Sequence, residues 1–144
     1  MLFGQKCSKN IIQYVGAALY NYSGNIHVHS CYSDGSGDPD QIISAAAAAG
    51  LDFVIITDHE TLAALPEEKI VNGTIMLVGA ELNRAHSHYL ALNISELIES
   101  DDNNPQKVIN NVRNAGGIGF IAHPFEKGSA YIEKGKAYPW KIWP

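Results

Sequence analysis

The sequence predicts an α/β fold built on a mainly parallel sheet, and three observations support this class. Apolar runs of strand length alternate with two runs that carry helix start and stop signals, which is the order expected of βαβ units. The chain of 144 residues is long enough for one compact domain. All six histidines fall beside the ends of predicted strands and none on a predicted helix. In parallel α/β folds the carboxyl ends of the strands converge on the functional site.

Residues 1–22 are predicted to form a helical lead-in, and residues 23–144 a single domain. The apolar run inside the lead-in is too short to span a bilayer. The domain opens with a strand over residues 24–30, where β-branched residues alternate with polar ones. A cluster of turn-forming residues over 33–38 follows this strand.

A helix is predicted over residues 40–49, which contain an alanine run. Asp38 is the candidate N-cap, Pro39 suits the first turn, and Gly50 is a natural C-cap. Residues 53–57 then form a continuous apolar run, FVIIT, of the kind found in buried parallel strands.

The later elements continue this alternation. A short helix, interrupted by Pro66, is expected over residues 61–69. A second full helix is predicted over residues 105–115, since it opens with a proline and ends before a Gly-Gly pair. Three further strands are predicted over residues 74–79, 89–94 and 118–122.

Two histidines and an aspartate near the first strand form one part of a candidate metal site. His27 and His29 are two residues apart, so both imidazoles face one side of a strand while Val28 faces the other. Asp34 follows in a glycine-rich turn and can bend back over the same strand end. Imidazole nitrogens and carboxylate oxygens together suit Zn, Mn and Fe. An ordinary turn role for Asp34 is the alternative.

Three more ionisable groups follow the next two strands. Asp58 and His59 come directly after the most apolar run of the chain, where polar residues are uncommon. His59 is the better ligand, and Asp58 is expected to orient a neighbouring imidazole through its second nitrogen. Glu81 follows the strand over 74–79, where a carboxylate could bridge two metal ions. A plain surface glutamate is the alternative.

The remaining histidines flank the last two strands. Pro124 restricts the preceding residue to extended backbone, which predicts a fixed ligand pose for His123. A buried histidine with only a packing role is the alternative. His86 and His88 stand at the start of the strand over 89–94, and spacing alone does not choose between them as ligands.

Taken in order, these segments resemble the PHP superfamily, the polymerase and histidinol phosphatase domains. The resemblance is carried by HVHSCYSDGS at 27–36, AGLDFVIITDH at 49–59, GAE at 79–81, HYLAL at 88–92 and HP at 123–124. Several motifs in the family's order make the resemblance specific.

The resemblance implies a partial, distorted (β/α)7 barrel, with about five of its seven strands, and two to three divalent ions (Zn, Mn or Fe) at its mouth. Carried over residue by residue, it implies His27 and His29 at the first ion, Glu81 between the first and second, His88 and His123 at the second, and Asp34 and His59 at the third. The HYLAL segment favours His88 over His86. Arg84 and His86 are candidates for contact with a substrate phosphate.

One departure from the family concerns its last motif, an Asp-x-His, which has no counterpart after His123. The absent Asp would serve the first ion and the absent His the third. A complete second site and two weakened ones are therefore expected, in a PHP domain that is incomplete at its C-terminus. Open sheet edges also predict self-association.

The expected function is that of a metal-dependent phosphoesterase, a hydrolase that cleaves a phosphate ester with a metal-bound hydroxide. The alternative is a catalytically incomplete metal-binding fragment, or a subunit that needs a partner chain for the missing Asp-x-His. A net charge of −5 argues against long nucleic acid and leaves a small phosphorylated substrate. No membrane association is expected, and two cysteines without a CxxC pattern fit the cytoplasm.

Overall fold

The computed structural model describes residues 12–14, 17–83 and 87–124. Within these residues the strands and helices, in chain order, are β1 Ile12–Tyr14, β2 Ala17–Leu19, β3 Gly24–Val28, α1 Pro39–Ala48, β4 Phe53–His59, β5 Lys69–Val71, β6 Thr74–Leu82, β7 Tyr89–Leu92, α2 Pro105–Asn114 and β8 Ile118–Ile121. A 3-10 helix at Leu65–Glu67 is all that forms of the helix predicted over residues 61–69. No helix of the described residues is long and apolar enough to cross a membrane.

The predicted helical lead-in over residues 1–22 is wrong where the structure describes it. β1 and β2 pair antiparallel as a two-stranded sheet of their own. The β-branched and aromatic residues of β1 favour extended backbone over helix, which outweighs the apolar character on which the prediction rested. Residues 1–11 of that segment lie outside the described residues.

The main sheet is a curled half-barrel with the strand order β3-β4-β6-β7-β8, and β5 pairs with β6 beside this path. β3, β4 and β6 are parallel, as predicted. β7 is instead antiparallel to both β6 and β8, so the fourth predicted strand runs against the others. The connection from β6 to β7 is too short for a crossover helix, which explains the reversed direction.

Helix α1 lies within one residue of its predicted bounds, and its C-cap is Ala49 rather than Gly50. The Asp38 side chain accepts a hydrogen bond from the Gln41 N–H (2.8 Å), and the Gln41 side chain accepts one from the Asp38 N–H (3.0 Å). This reciprocal capping box satisfies two N–H groups at the start of the helix. Gly50 follows the last turn with φ +74°, the left-handed conformation that glycine adopts without steric cost.

The two faces of the sheet have different cover. On the outer face, alternate residues of β4 and β6 pack with residues of α1, among them Ile43, Ile56 and Met76. The inner, concave face carries a smaller apolar cluster that includes Ile55 and Leu90. Because side chains alternate along a strand, this concave face also carries the polar residues that end β4 and β6. The candidate site therefore lies at the mouth of the half-barrel.

Candidate metal centre

The structure brings all seven predicted metal ligands into one group at the carboxyl ends of β3, β4 and β6 and at the adjoining ends of β7 and β8. We call this group the Glu81 cluster, and its members are His27, His29, Asp34, His59, Glu81, His88 and His123. Neighbouring imidazole rings lie with their centroids 4.6–5.6 Å apart.

Glu81 is the centre of the cluster, and its side chain is 1% exposed. Its Oε2 lies 3.0 Å from the Nε2 atoms of both His27 and His29. Its Oε1 lies 2.8 Å from His88 Nδ1 and 3.0 Å from His123 Nε2. Burial by itself would raise the pKa of Glu81, but hydrogen bonds with four imidazoles outweigh it and hold that pKa well below its usual range. The carboxylate is therefore ionised and shared between two pairs of histidines.

A β-bulge in β3 aims His27 and His29 at this carboxylate. Asn25 pairs with Val54 and Val28 with Ile56, so β3 holds one residue more than β4 over that stretch. Ile26 accordingly packs on the concave face and Val28 on the outer face, with His27 between them. Without the extra residue, alternation would turn His27 away from Glu81. Bulges commonly re-aim side chains beside functional sites.

Asp34 reaches the cluster because its loop folds back on the end of β3. Its Oδ1 lies 2.9 Å from His29 Nδ1, and its Oδ2 lies 3.6 Å from His59 Nε2. The Gly35 N–H donates to the Ser30 carbonyl (3.0 Å), and a Cβ at Gly35 would lie only 2.0 Å from the His29 carbonyl oxygen. The loop thus closes only with glycine at position 35. The Asp34 side chain is 52% exposed, so this side of the cluster faces solvent.

Among the described residues Asp58 does not hydrogen-bond to an imidazole, contrary to the prediction, since its hydrogen bonds go to the loop that carries Asp34. Its Oδ1 accepts from the Ser30 N–H (2.6 Å) and the Ser33 hydroxyl (2.7 Å), and its Oδ2 accepts from the Ser30 hydroxyl (2.6 Å). Ser33 Oγ in turn lies 3.4 Å from His29 Nδ1. Asp58 is buried and acts on the cluster through these two serines.

His59 stands beside Glu81 across the β4–β6 pairing. Burial lowers the pKa of His59 to about 4, against the opposing charge of Glu81, so its imidazole is neutral at ordinary pH. Its Nδ1 lies 3.5 Å from Glu81 Oε2, and among the described residues this buried nitrogen has no hydrogen-bond partner. A neutral, unpartnered nitrogen aimed at a carboxylate is what a metal ligand offers.

The pKa of His29 is shifted in the opposite direction from that of His59. Burial lowers the pKa of His29, but its hydrogen bond to Glu81 and the negative charges of Glu81, Asp34 and Asp58 raise that pKa above its ordinary value overall. A bound cation would compete with this proton, so metal binding at His29 should release protons.

His123 has φ +24°, so the extended backbone predicted from Pro124 is wrong. In an extended chain His123 would lie on the same face of the sheet as Ile121. Phe120 pairs with Leu90 on the opposite, concave face, so an extended His123 would point away from the concave face. The left-handed turn breaks the alternation and brings His123 Nε2 to Glu81. Such backbone strain persists where the surrounding structure requires it, commonly at functional sites.

The donors fit divalent metal ions in three overlapping groups, each with its ligand atoms within 4.8 Å of one another. The groups are His27, His29 and Glu81, then His29, Asp34 and His59, then His59, Glu81 and His88. The first group contains the three residues that the family resemblance implies for the first ion. The second group contains Asp34 and His59, the pair implied for the third ion, together with His29. The third group holds His59 where His123 was expected, although His123 contacts the same Glu81 oxygen as His88, Oε1. The mixed nitrogen and oxygen donors suit Zn, Mn and Fe.

Two predicted contacts remain untested, because Arg84 and His86 lie outside the described residues. His88 is described and contacts Glu81 directly. Sequence reasoning overlooked Ser30 and Ser33, which join Asp58 to the cluster. Their position on either side of the turn after the His-x-His pair was the available signal.

A half-barrel with a histidine–carboxylate cluster at its mouth defines an α/β protein with a candidate multinuclear metal site. Residues 25–134 match the PHP domain family. This match covers more than half of the chain, and the chain therefore belongs to the family.

Two individual proteins are similar to the chain. An uncharacterised protein of Methanocaldococcus jannaschii is 25% identical over 115 residues, covering 70% of this chain and 67% of the relative. A crystallised two-domain protein of Bacteroides vulgatus, containing a predicted PHP-like metal-dependent phosphoesterase, is 22% identical with a TM-score of 0.56. The match covers 72% of this chain and 35% of the Bacteroides protein, so the chain spans about a third of that length. This likeness confirms the predicted partial barrel.

Proposed function

We propose that the chain is a metal-dependent phosphoesterase that hydrolyses a small phosphate ester. The observation that carries this proposal is the sharing of one buried carboxylate, Glu81, among imidazoles from β3 and from the ends of β7 and β8. One oxygen meets His27 and His29, and the other meets His88 and His123. A bridging carboxylate of this kind suits the adjacent ions used in phosphate-ester chemistry.

Residues of the chain itself would bind the ions and shape the site. Glu81, His27 and His29 would hold one ion, and His88 and His123 would hold a second against the other Glu81 oxygen. Asp34 with His59 would complete a third position on the solvent side. Divalent ions there would lower the pKa of a coordinated water and offset negative charge on the phosphoryl oxygens. Two to three ions of Zn, Mn or Fe are proposed.

The exposed side of the cluster indicates where a substrate enters. Asp34 is half exposed, whereas Glu81 and His88 are buried, so the phosphoryl group would approach from the loop between β3 and α1. The net charge of −5 favours a small phosphorylated molecule held by the ions over a long nucleic acid held by a basic surface. A cytoplasmic location and self-association through sheet edges remain predictions.

A second candidate function is metal binding without turnover by this chain alone, with another polypeptide completing the barrel. One observation favours it. The concave face leaves four apolar side chains 42–59% exposed, although a closed barrel would cover them. These side chains are Ile75, Leu77, Ile118 and Phe120.

The decisive experiment compares Glu81→Gln with Glu96→Gln, a matched change at an exposed position. Bound Mn, Fe and Zn are counted in each purified protein, and hydrolysis of p-nitrophenyl phosphate and its bis ester is measured. Wild type and Glu96→Gln should bind metal and turn over, whereas Glu81→Gln should lose both. Wild-type metal content in Glu81→Gln would refute the bridging role. Metal without turnover in the wild type would support the second candidate.

A further inference from the structure

Three residues with left-handed backbone stand beside the buried ligands of the Glu81 cluster. Glu60 (φ +53°) follows His59, Asn83 (φ +64°) lies two residues after Glu81, and Ser87 (φ +59°) precedes His88. Residues other than glycine rarely adopt this conformation, and it persists where the surrounding structure imposes it.

Hydrogen bonds join these three residues, and Ser100, which lies in the segment between β7 and α2, links Glu60 to Asn83. The Ser100 hydroxyl donates to the Glu60 carboxylate, whose oxygens lie 2.7 and 2.6 Å away, and accepts from the Asn83 N–H (2.9 Å). The Asn83 side chain uses both of its ends. Its Oδ1 accepts from the Asp101 N–H (2.9 Å), and its Nδ2 donates to the Ser87 carbonyl (3.3 Å).

The path continues through the backbone to the ligands themselves. The Glu60 N–H donates to the Glu81 carbonyl (3.1 Å), which joins the ends of β4 and β6. The Ala122 N–H donates to the His88 carbonyl (3.0 Å), one residue before His123. The strand ends that carry His59, Glu81, His88 and His123 are therefore linked behind the cluster.

Asn83 occupies the middle of this path and is completely buried, as is Ser87. A buried amide that makes several hydrogen bonds fixes its neighbours, because each broken bond would leave a polar group unsatisfied. Asn83 makes no hydrogen bond to a member of the Glu81 cluster within the described residues. Its effect on the ligands is therefore indirect.

We infer that Asn83 is a positioning residue that sets the spacing between Glu81 and His88, and through His88 that of His123. It holds the three ligands of the second ion at a separation that one ion can span. This inference rests on the metal binding proposed above. Residues that hydrogen-bond directly to metal ligands typically change metal affinity by about 10–100-fold when they are removed, and this range sets the scale for the indirect effect of Asn83.

The test is Asn83→Gly with Asn93→Gly as the matched control. Glycine accepts the left-handed backbone at both positions, so each change removes only a side chain. Asn93 also has a left-handed backbone (φ +57°) and donates through Nδ2 to a carbonyl, that of Gly116 (3.1 Å), but it lies on the surface outside the cluster. Ser100→Ala interrupts the same path at a second point and serves where Asn83→Gly does not fold.

The measurement is titration of each metal-free protein with Co²⁺, followed by visible absorption and by isothermal calorimetry. Asn83→Gly and Ser100→Ala should weaken one Co²⁺ site by about 10–100-fold and alter its absorption bands. Asn93→Gly should keep the wild-type affinity and spectrum. A general loss of stability would lower the thermal midpoint without changing the spectrum of the bound ion, so the spectrum separates positioning from folding.

The outcomes distinguish this inference from the proposed function. Wild-type protein that takes up no Co²⁺ overturns both, since there is then no ion to position. Wild-type affinity and spectrum in Asn83→Gly, or in Ser100→Ala where the first variant does not fold, overturn the positioning role and leave the phosphoesterase proposal standing.

Discussion

Replacing Asp58 with alanine should destabilise the metal-free protein by about 4 kcal/mol. Asp58 is buried and accepts three hydrogen bonds of 2.6–2.7 Å from the backbone and hydroxyl of Ser30 and the hydroxyl of Ser33. Hydrogen bonds to charged groups contribute about 1.5–3 kcal/mol each. Three bonds at the lower value sum to about 4.5 kcal/mol. In the variant, water can hydrogen-bond to the half-buried Ser33 hydroxyl, and this recovers part of that free energy.

The assay is urea unfolding of the metal-free protein followed by far-UV circular dichroism. Ser33→Ala is the matched control, since it removes one of the three bonds and should cost about 1 kcal/mol. Metal binding should respond as well. The loop released by Asp58→Ala carries Asp34, so the group of His29, Asp34 and His59 should lose affinity while Glu81 keeps its other partners.

Two results would refute this reasoning. A loss in Asp58→Ala no larger than that in Ser33→Ala would mean that the two Ser30 bonds contribute nothing. Full metal content with wild-type affinity at every site would mean that Asp34 does not depend on the anchored loop. Either result would contradict the role assigned to Asp58, which is to anchor the loop that carries Asp34.

Two further predictions concern His59 and the contact between β6 and β7. Burial lowers the pKa of His59 from 6.5 to about 4, so the unfolded chain binds its proton first on acidification. The unfolding free energy of the metal-free protein should therefore fall as pH decreases from 6.5 to 4, and His59→Gln should flatten this slope in urea titrations. Gly79→Ala should cost about 1–3 kcal/mol in thermal unfolding, because its Cβ would lie 2.5 Å from the Ala91 carbonyl oxygen. Gly37→Ala, with its nearest neighbour at 3.6 Å, is the control, and equal midpoints would contradict the close approach.

Local signals in the sequence predicted the regular elements that depend on local interactions. The residues that signal the start and end of α1 lie within two residues of the helix itself, so Asp38, Pro39 and Gly50 could be identified without tertiary information. The apolar run of β4 likewise required a buried strand, and its pairing on both sides agrees. The grouping of the Glu81 cluster was also predictable, because the carboxyl ends of neighbouring parallel strands lie at one edge of the sheet and bring the side chains there together.

Elements defined by pairing were harder to predict. β5 has only three residues and was missed, although Asn72-Gly73 is a strong hairpin signal and both residues have the positive φ values of such a turn. The direction of β7 was also wrong, because an apolar run looks the same in either orientation. Only the length of the connection from Leu82 to Tyr89 indicates an antiparallel return.

The final geometry of the site depends on places where regular structure is interrupted. Strict alternation would leave His27 and His123 on the wrong face of the sheet, and a bulge in β3 and a left-handed turn after β8 correct each of them. Such interruptions cost conformational energy, so a sequence without a function would be expected to avoid them. Their presence beside two of the four histidines that share Glu81 is independent physical support for a site that serves binding rather than stability.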